Sequence, residues 1–461
     1  MKKVKYILFL IVVASMLLSA CASPAPTTAP PPAQEQPAAT QPAAAQPASE
    51  LTTEKVQLVF WSMWNESEPA AQVLQKFMDG FTAQHPNITF SVVWNGRENQ
   101  TKLRTALAAG TKVDFMDQDS DQLAGGMMSE GLGYPLDDWL TQNALDQNVP
   151  IKDIFSPGVL DQYKSSDGKT IEWPWITSPV MFWYNKDALT KAGVTKPPET
   201  WDEFLSACEK IKATGVAPIV TESNISEYDN YWFMYLVERQ KGPDFLLKAI
   251  EDKTGELWKD PAFATSISMI KDLWAKGCIP EVAKGYLWPA GQNMLATDLA
   301  AMELSGAWLP NELKNSTRPD FNWGGLPFPS IAGGVGDRGD INLWTGSMMI
   351  LKDSAHPREV FEFLKFIMTN ENQSTMATEA IQGVTNKNVT WPAALADGET
   401  AANNANAVIL SVGGGLAYHP EFVKSVINGN LNKAFFGTMT PDEFTAKMAA
   451  DAAAYWQTHE K

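Results

Sequence analysis

The side chains best equipped for chemistry in this sequence are its aromatic rings and its carboxylates. Tryptophan is the outlier, with 17 in the chain beside 10 tyrosines. An indole presents a flat apolar face that stacks on the C–H face of a pyranose ring, and its N–H still donates a hydrogen bond. The excess points to a sugar, although most of these rings should fill ordinary core. The carboxylates concentrate in Asp117-Gln118-Asp119-Ser120-Asp121. There Asp117 and Asp119 are candidates to accept strong hydrogen bonds from hydroxyl groups, ahead of Asp121. The run also has the first ligand spacings of an EF-hand loop, but Gln122 stands where that loop needs glycine and Met128 where it needs a bidentate glutamate. Calcium is not expected. His85, His356, His419 and His459 show no H-x-x-x-H or H-x-H spacing. No metal site and no cofactor are expected.

With 36 Lys and Arg against 53 Asp and Glu, the formal charge is −17, and no basic run could follow a phosphate backbone. Nucleic acid is not an expected partner. Two rival ligand chemistries stay open. Acidic loops would suit a cation such as a polyamine, and so many carboxylates could supply the pair that a secreted glycoside hydrolase requires.

The elements that must position these groups alternate. Val56 to Trp61 predicts a strand, Ser62 to Glu68 a loop and Ala70 to Phe81 a helix. Pro86 to Val93 then predicts a strand, Gln100 to Ala109 a helix, and Lys112 to Met116 a strand ending at Asp117. Such alternation predicts a parallel α/β sheet, whose ligands sit beyond the carboxyl ends of the strands. Thr200-Trp201-Asp202-Glu203 has the form of a capping box. Helices are predicted near Tyr231 to Gln240, Ala262 to Lys276, Gly291 to Leu299 and Pro357 to Met368, with strands at Ala300 to Leu304 and Trp344 to Leu351. Roughly 410 residues follow residue 50, which is usually too many for one compact domain and suggests two lobes.

The first residues read as an export segment. Lys2, Lys3 and Lys5 precede an apolar run from Tyr6 to Leu18, and Leu18-Ser19-Ala20-Cys21 resembles the bacterial lipobox. Residues 1–20 are then a signal peptide and Cys21 a lipid anchor. Residues 21–54, rich in Ala, Pro, Thr and Gln, form an extended tether. Beyond it only Cys208 and Cys278 remain, as a disulfide or as two buried thiols.

Five stretches in order resemble the extracellular solute-binding proteins of family 1, the group that includes maltose-binding protein. They are GLGYPLDDWL from Gly131 to Leu140; Gly168 through Trp173 and Pro174 to Phe182-Trp183-Tyr184-Asn185-Lys186-Asp187; Pro197-Pro198 with Thr200-Trp201-Asp202-Glu203; Ala300-Ala301-Met302 with Gly306 and Trp308; and Arg358 to Ile367. The resemblance covers most of residues 55–460. It implies an α/β fold of two discontinuous lobes of the class II periplasmic-binding-protein type, joined by hinge strands. Residues 55–177 with 345–385 would form one lobe, and 178–344 with 386–461 the other. It implies a monomer that is not an enzyme, captures a carbohydrate in the interlobe cleft and hands it to ABC transporter permease subunits. The site would be extracytoplasmic, with membrane contact through the lipid anchor only. By the same resemblance Trp64, Asn65 and Glu66 follow the first strand into the cleft, and Trp175 is the crossover ring that faces it. Tyr228 and Asp229, in a loop before the Tyr231 helix, supply the second lobe's platform, and Trp308 is the stacking ring. Trp344 and Gly346 fall at the second crossover, where glycine would let backbone approach the ligand. Gly413 to Gly415 and Tyr418 would close the far side.

Overall fold

Ten strands make one mixed sheet in the computed structural model, which describes residues 51–162, 164–409 and 418–459. The export segment, Cys21, the tether before residue 51 and Gly413 to Gly415 lie outside the described residues. In chain order the strands are β1 (Val56–Ser62), β2 (Ile88–Trp94), β3 (Phe115–Asp119), β4 (Glu172–Asn185), β5 (Ala217–Val220), β6 (Ala300–Gly306), β7 (Trp323–Leu326), β8 (Asp340–Ile350), β9 (Gly383–Val384) and β10 (Ala407–Ile409). They run β2-β1-β3-β8-β4-β6-β5, with β10 on β8 and both β7 and β9 on β4.

The parallel expectation holds at the two ends of the sheet. β1 pairs in parallel with β2 and β3, and β5 with β6. The middle is antiparallel, because β4 and β8 run through both halves and pair with each other. β4 is buried along all 14 residues, so its run EWPWITSPVMFWYN lacks the alternation of a half-exposed strand. Pro174 has no N–H for the ladder, and the β4–β8 register slips there, leaving Trp175 as the extra residue of a bulge.

Two large apolar cores sit on this sheet. One gathers Phe60, Phe77, Phe115, Trp173 and Phe363, with Phe60 and Phe115 stacked at 4.4 Å. The other gathers Phe182, Phe204, Trp232, Phe328 and Phe435. β4 feeds both, Trp173 and Ile176 entering the first and Phe182 and Tyr184 the second. The capping box is present as read: the Thr200 hydroxyl accepts from the Glu203 N–H, the Glu203 carboxylate accepts from the Thr200 N–H, and the helix Trp201–Ala213 follows.

Several boundaries differ from the sequence reading. The third strand begins at Phe115 rather than Lys112, which moves Asp117 from the strand's end to its middle. The helix placed at Tyr231 begins at Ser226, where Glu227 and Asp229 in the first turn complement the helix dipole. Tyr228 and Asp229 are therefore helical and do not belong to a preceding loop. Cys208 and Cys278 are free, buried thiols in the second core. They hydrogen-bond to each other, which pushes the Cys208 thiol up and lowers that of Cys278.

Candidate functional site

The richest convergence of polar and aromatic groups lies beyond the ends of β1, β3 and β6, where the two halves of the sheet meet. Trp308, two residues past β6, lies flat on Gly306: a Cβ at that glycine would fall 2.1 Å from the indole. Only glycine admits the ring in that position. The half-buried Trp308 meets the half-buried Trp344 of β8 edge to face, with centroids 5.9 Å apart and planes at 81°. The Trp344 indole N–H donates to Asp119 Oδ1 at 3.1 Å, and the antiparallel register sets Asp119 opposite Gly346. One side of this wall thus comes from β3 and β8 and the other from the turn after β6.

The titratable groups across the gap are mostly acids. Burial raises the Asp119 carboxyl above its ordinary range, while Arg97 and the Trp344 N–H act to lower it. Burial and the neighbouring Asp119 lift Asp121 to about 7, with Glu227 of the opposing helix acting the same way. Glu312, just past Trp308, adds an exposed carboxyl. Burial also drives the Tyr228 phenol up, and Glu303 of β6 adds to it. A groove of about 450 Å³ opens beside these groups, with Gln100, Asp121 and Gln122 on one side and Glu227, Glu421 and Lys424 on the other.

Some residues singled out from the sequence do other work here. Asp117 is 1 % exposed, and its carboxylate accepts from the Met63 N–H at 2.6 Å and the Ser62 hydroxyl at 3.2 Å. It anchors the loop after β1 from beneath and does not present itself to a ligand. Trp64 is buried, and the Arg97 guanidinium covers its face with 4.8 Å to the ring centroid, so the surface expected to stack is occupied. Asn65 is exposed and its amide donates to Glu68, which also pairs with Arg97 at 2.8 Å; Glu66 is exposed on the same loop. Trp175, 1 % exposed at its bulge, belongs to the first core, where the sequence reading placed it in the cleft. Asp229 is buried and accepts from Asn432 at 2.9 Å, tying its helix to Asn428–Phe435. The space above Gly346 is filled by the Ile176 side chain and the Trp344 ring, so this glycine serves side-chain packing and not backbone approach. Tyr418 is partly exposed beside the undescribed stretch.

The reading also missed groups. Arg97 follows β2, and its charge reaches Asp119 on one side and Glu312 on the other. Its signal was position, since loops beyond strand carboxyl ends carry ligands. Glu222 and Glu303 lie in and after parallel strands, and a glutamate inside the apolar run AAMELSG was a signal of its own.

The family pattern described as bacterial extracellular solute-binding protein matches residues 65–374. The chain belongs to that family. A binding protein of Brucella abortus is 28 % identical over 294 residues, 63 % of this chain and 67 % of its own. The diacetylchitobiose binding protein NgcE of Streptomyces coelicolor is 26 % identical over 229 residues, 49 % of this chain and 48 % of that protein. Among solved structures, a chitin oligosaccharide binding protein superposes with a TM-score of 0.70 at 25 % identity, covering 87 % of this chain and 99 % of the other. The fold of this solute-binding protein is accordingly the two-lobe α/β fold of periplasmic binding proteins. Other solved structures of this fold include one described as maltose-bound and one as in complex with raffinose. No helix among the described residues is long and apolar enough to cross a membrane.

Proposed function

We propose that the protein captures a carbohydrate between its lobes and presents it to the membrane subunits of an ABC importer. The observation that carries this reading is the Trp308–Trp344 wall, held in place by Gly306 on one side and Asp119 on the other. Indole faces supply the apolar surface a sugar ring needs, and the carboxylates around them supply acceptors for its hydroxyls. The named binding proteins among its relatives support the ligand class.

Lobe boundaries at 177/178 and 344/345 fit this reading, because Thr177 pairs with Thr345 and Ser178 with Trp344 on neighbouring strands. Both crossings then fall at one level of the sheet, as a shared hinge requires. Closure shifts an equilibrium between open and closed forms, and no bond of the solute is broken. Cys21 would carry the lipid, residues 21–54 would hold the monomeric body off the membrane surface, and capture would take place outside the cytoplasm.

A thermal-shift screen against mono- and oligosaccharides tests the proposal. A specific sugar at 100-fold its dissociation constant should add about 2.7 kcal/mol of stability. Chromatography of the same mixtures should return every oligosaccharide at its original length. No stabilisation by any sugar would reject the ligand class, and shortened products would indicate a hydrolase.

A further inference from the structure

The fold brings together two reactive residues that the binding site does not use. Of the 3 cysteines in the chain, Cys21 is assigned to the lipid, which leaves Cys208 and Cys278 at the ends of a loop of roughly 70 residues. Cys208 lies on the buried face of the helix Trp201–Ala213, with Phe204 and Ile211. Cys278 follows the helix Pro261–Ala275, and its carbonyl accepts from the Ile219 N–H of β5 at 3.0 Å. Lys212 stands one helical turn beyond Cys208, and its ammonium donates to the Lys276 carbonyl at 2.8 Å. The same ammonium sits 2.6 Å from where a Cβ would stand at Gly277. This side of the helix is thereby held against residues 276–278. The two thiols meet there within hydrogen-bond reach, each 1 % exposed.

A buried thiol on its own packs as a small apolar group and needs no partner. Two thiols from distant segments, side by side in a chain with no other cysteine beyond residue 21, call for a further reason. Outside the cytoplasm such pairs are oxidised, and the bond persists. Sulfurs already in contact need only a small side-chain rotation to reach the bonding distance of roughly 2 Å.

We infer that Cys208 and Cys278 form a disulfide bond in the exported protein. The oxidant is a second disulfide, carried by a small molecule or by a thiol oxidoreductase. One cysteine thiolate attacks it and expels a first thiolate, leaving a mixed disulfide. The other cysteine, having lost its proton, attacks that mixed disulfide and expels the second thiolate. The pair gives up two electrons and two protons, and the oxidant leaves as two thiols. Both sulfurs are covered once the second core has packed, so the exchange belongs to folding. The finished bond staples the helix Trp201–Ala213 to the segment beside β5 and restricts the unfolded chain.

The inference rests on the reading of residues 1–20 as an export segment, and the experiment separates the two. The full chain is recovered from the extracytoplasmic fraction of an expressing bacterium. It is unfolded in guanidinium with iodoacetamide and no reductant, digested with trypsin and mapped by mass spectrometry. The peptides ending at Lys210 and Lys284 should appear joined, with both cysteines unalkylated, and should separate on reduction. Both cysteines alkylated without reductant would overturn the inference. A second arm reduces and unfolds the protein, then refolds it with reduced and oxidised glutathione, so that the pair is tested without export. The joined peptides should form again, and this protein should melt about 2–5 °C above the same chain refolded under dithiothreitol. Free cysteines after refolding, or a joined form that melts lower, would overturn the inference. If the chain is found only inside the cell, the export reading fails and the refolding arm alone decides the bond.

Discussion

Replacing Trp308 with alanine should lower affinity for the captured sugar by about 2–4 kcal/mol, or roughly 30- to 1,000-fold, while the fold survives. The ring is half-buried and rests on Gly306 and the edge of Trp344, so its loss opens no cavity inside either large core. What it removes is the flat face that excludes water from one side of the ligand. Gly306→Ala provides a complementary test. It keeps the indole but places a methyl group where the ring now lies, 2.1 Å from the nearest ring atom, so the ring must move. Affinity should fall in this variant too, although every aromatic group is still present. Titration calorimetry reads both effects, with the melting profile as the check on folding. An affinity unchanged in Trp308→Ala would remove this ring from the site.

Acidity should stabilise the protein. Burial lifts Asp117 and Asp121 to about 7, and Glu172 and Asp229 to about 8. In the unfolded chain such groups titrate near 3.9 for Asp and about 4.3 for Glu. Between those values and pH 7 to 8 the folded protein holds protons that the unfolded chain has released. For an acid raised in this way, the contribution is fully present below the unfolded value and is lost as pH rises through the folded one. If only two of these carboxyls retain protons on folding, stability falls by about 2.7 kcal/mol for each pH unit across that window. Glu203, held low by the backbone N–H groups of Glu199 and Thr200, acts only in the more acidic range and does not reverse the slope near neutrality. Urea unfolding at pH 5.5 and pH 8 should give a higher midpoint at the lower pH. A higher midpoint at pH 8 would contradict the burial argument.

Much of the fold was legible because periodicity and capping are local. The strand from Val56, the helix after it, the Thr200 capping box and the strand from Ala300 all stand close to where the sequence put them. The site was less legible, for separate physical reasons. Asp117 was given a ligand role because the strand was placed three residues early, which put it at the strand's end; in the structure it lies mid-strand with its carboxylate taken up by the Met63 N–H and the Ser62 hydroxyl. Trp175 lies in the first core beside the register shift at Pro174, which the spacing of neighbouring tryptophans does not reveal. Trp64 has the right position after β1, yet its face is filled by Arg97, which lies 33 residues further along the chain. Trp308 and Trp344 were named from the sequence, but their contact and the Asp119 bond that fixes one of them depend on pairings between distant strands.

The most direct test is a crystal structure of the protein grown with the sugar that stabilises it most. The account predicts the sugar ring in van der Waals contact with the Trp308 indole, between the lobes, with its polar groups within hydrogen-bond distance of Asp119 on one side and of Glu312 on the other. A sugar bound away from Trp308, or held by one lobe alone, would contradict it.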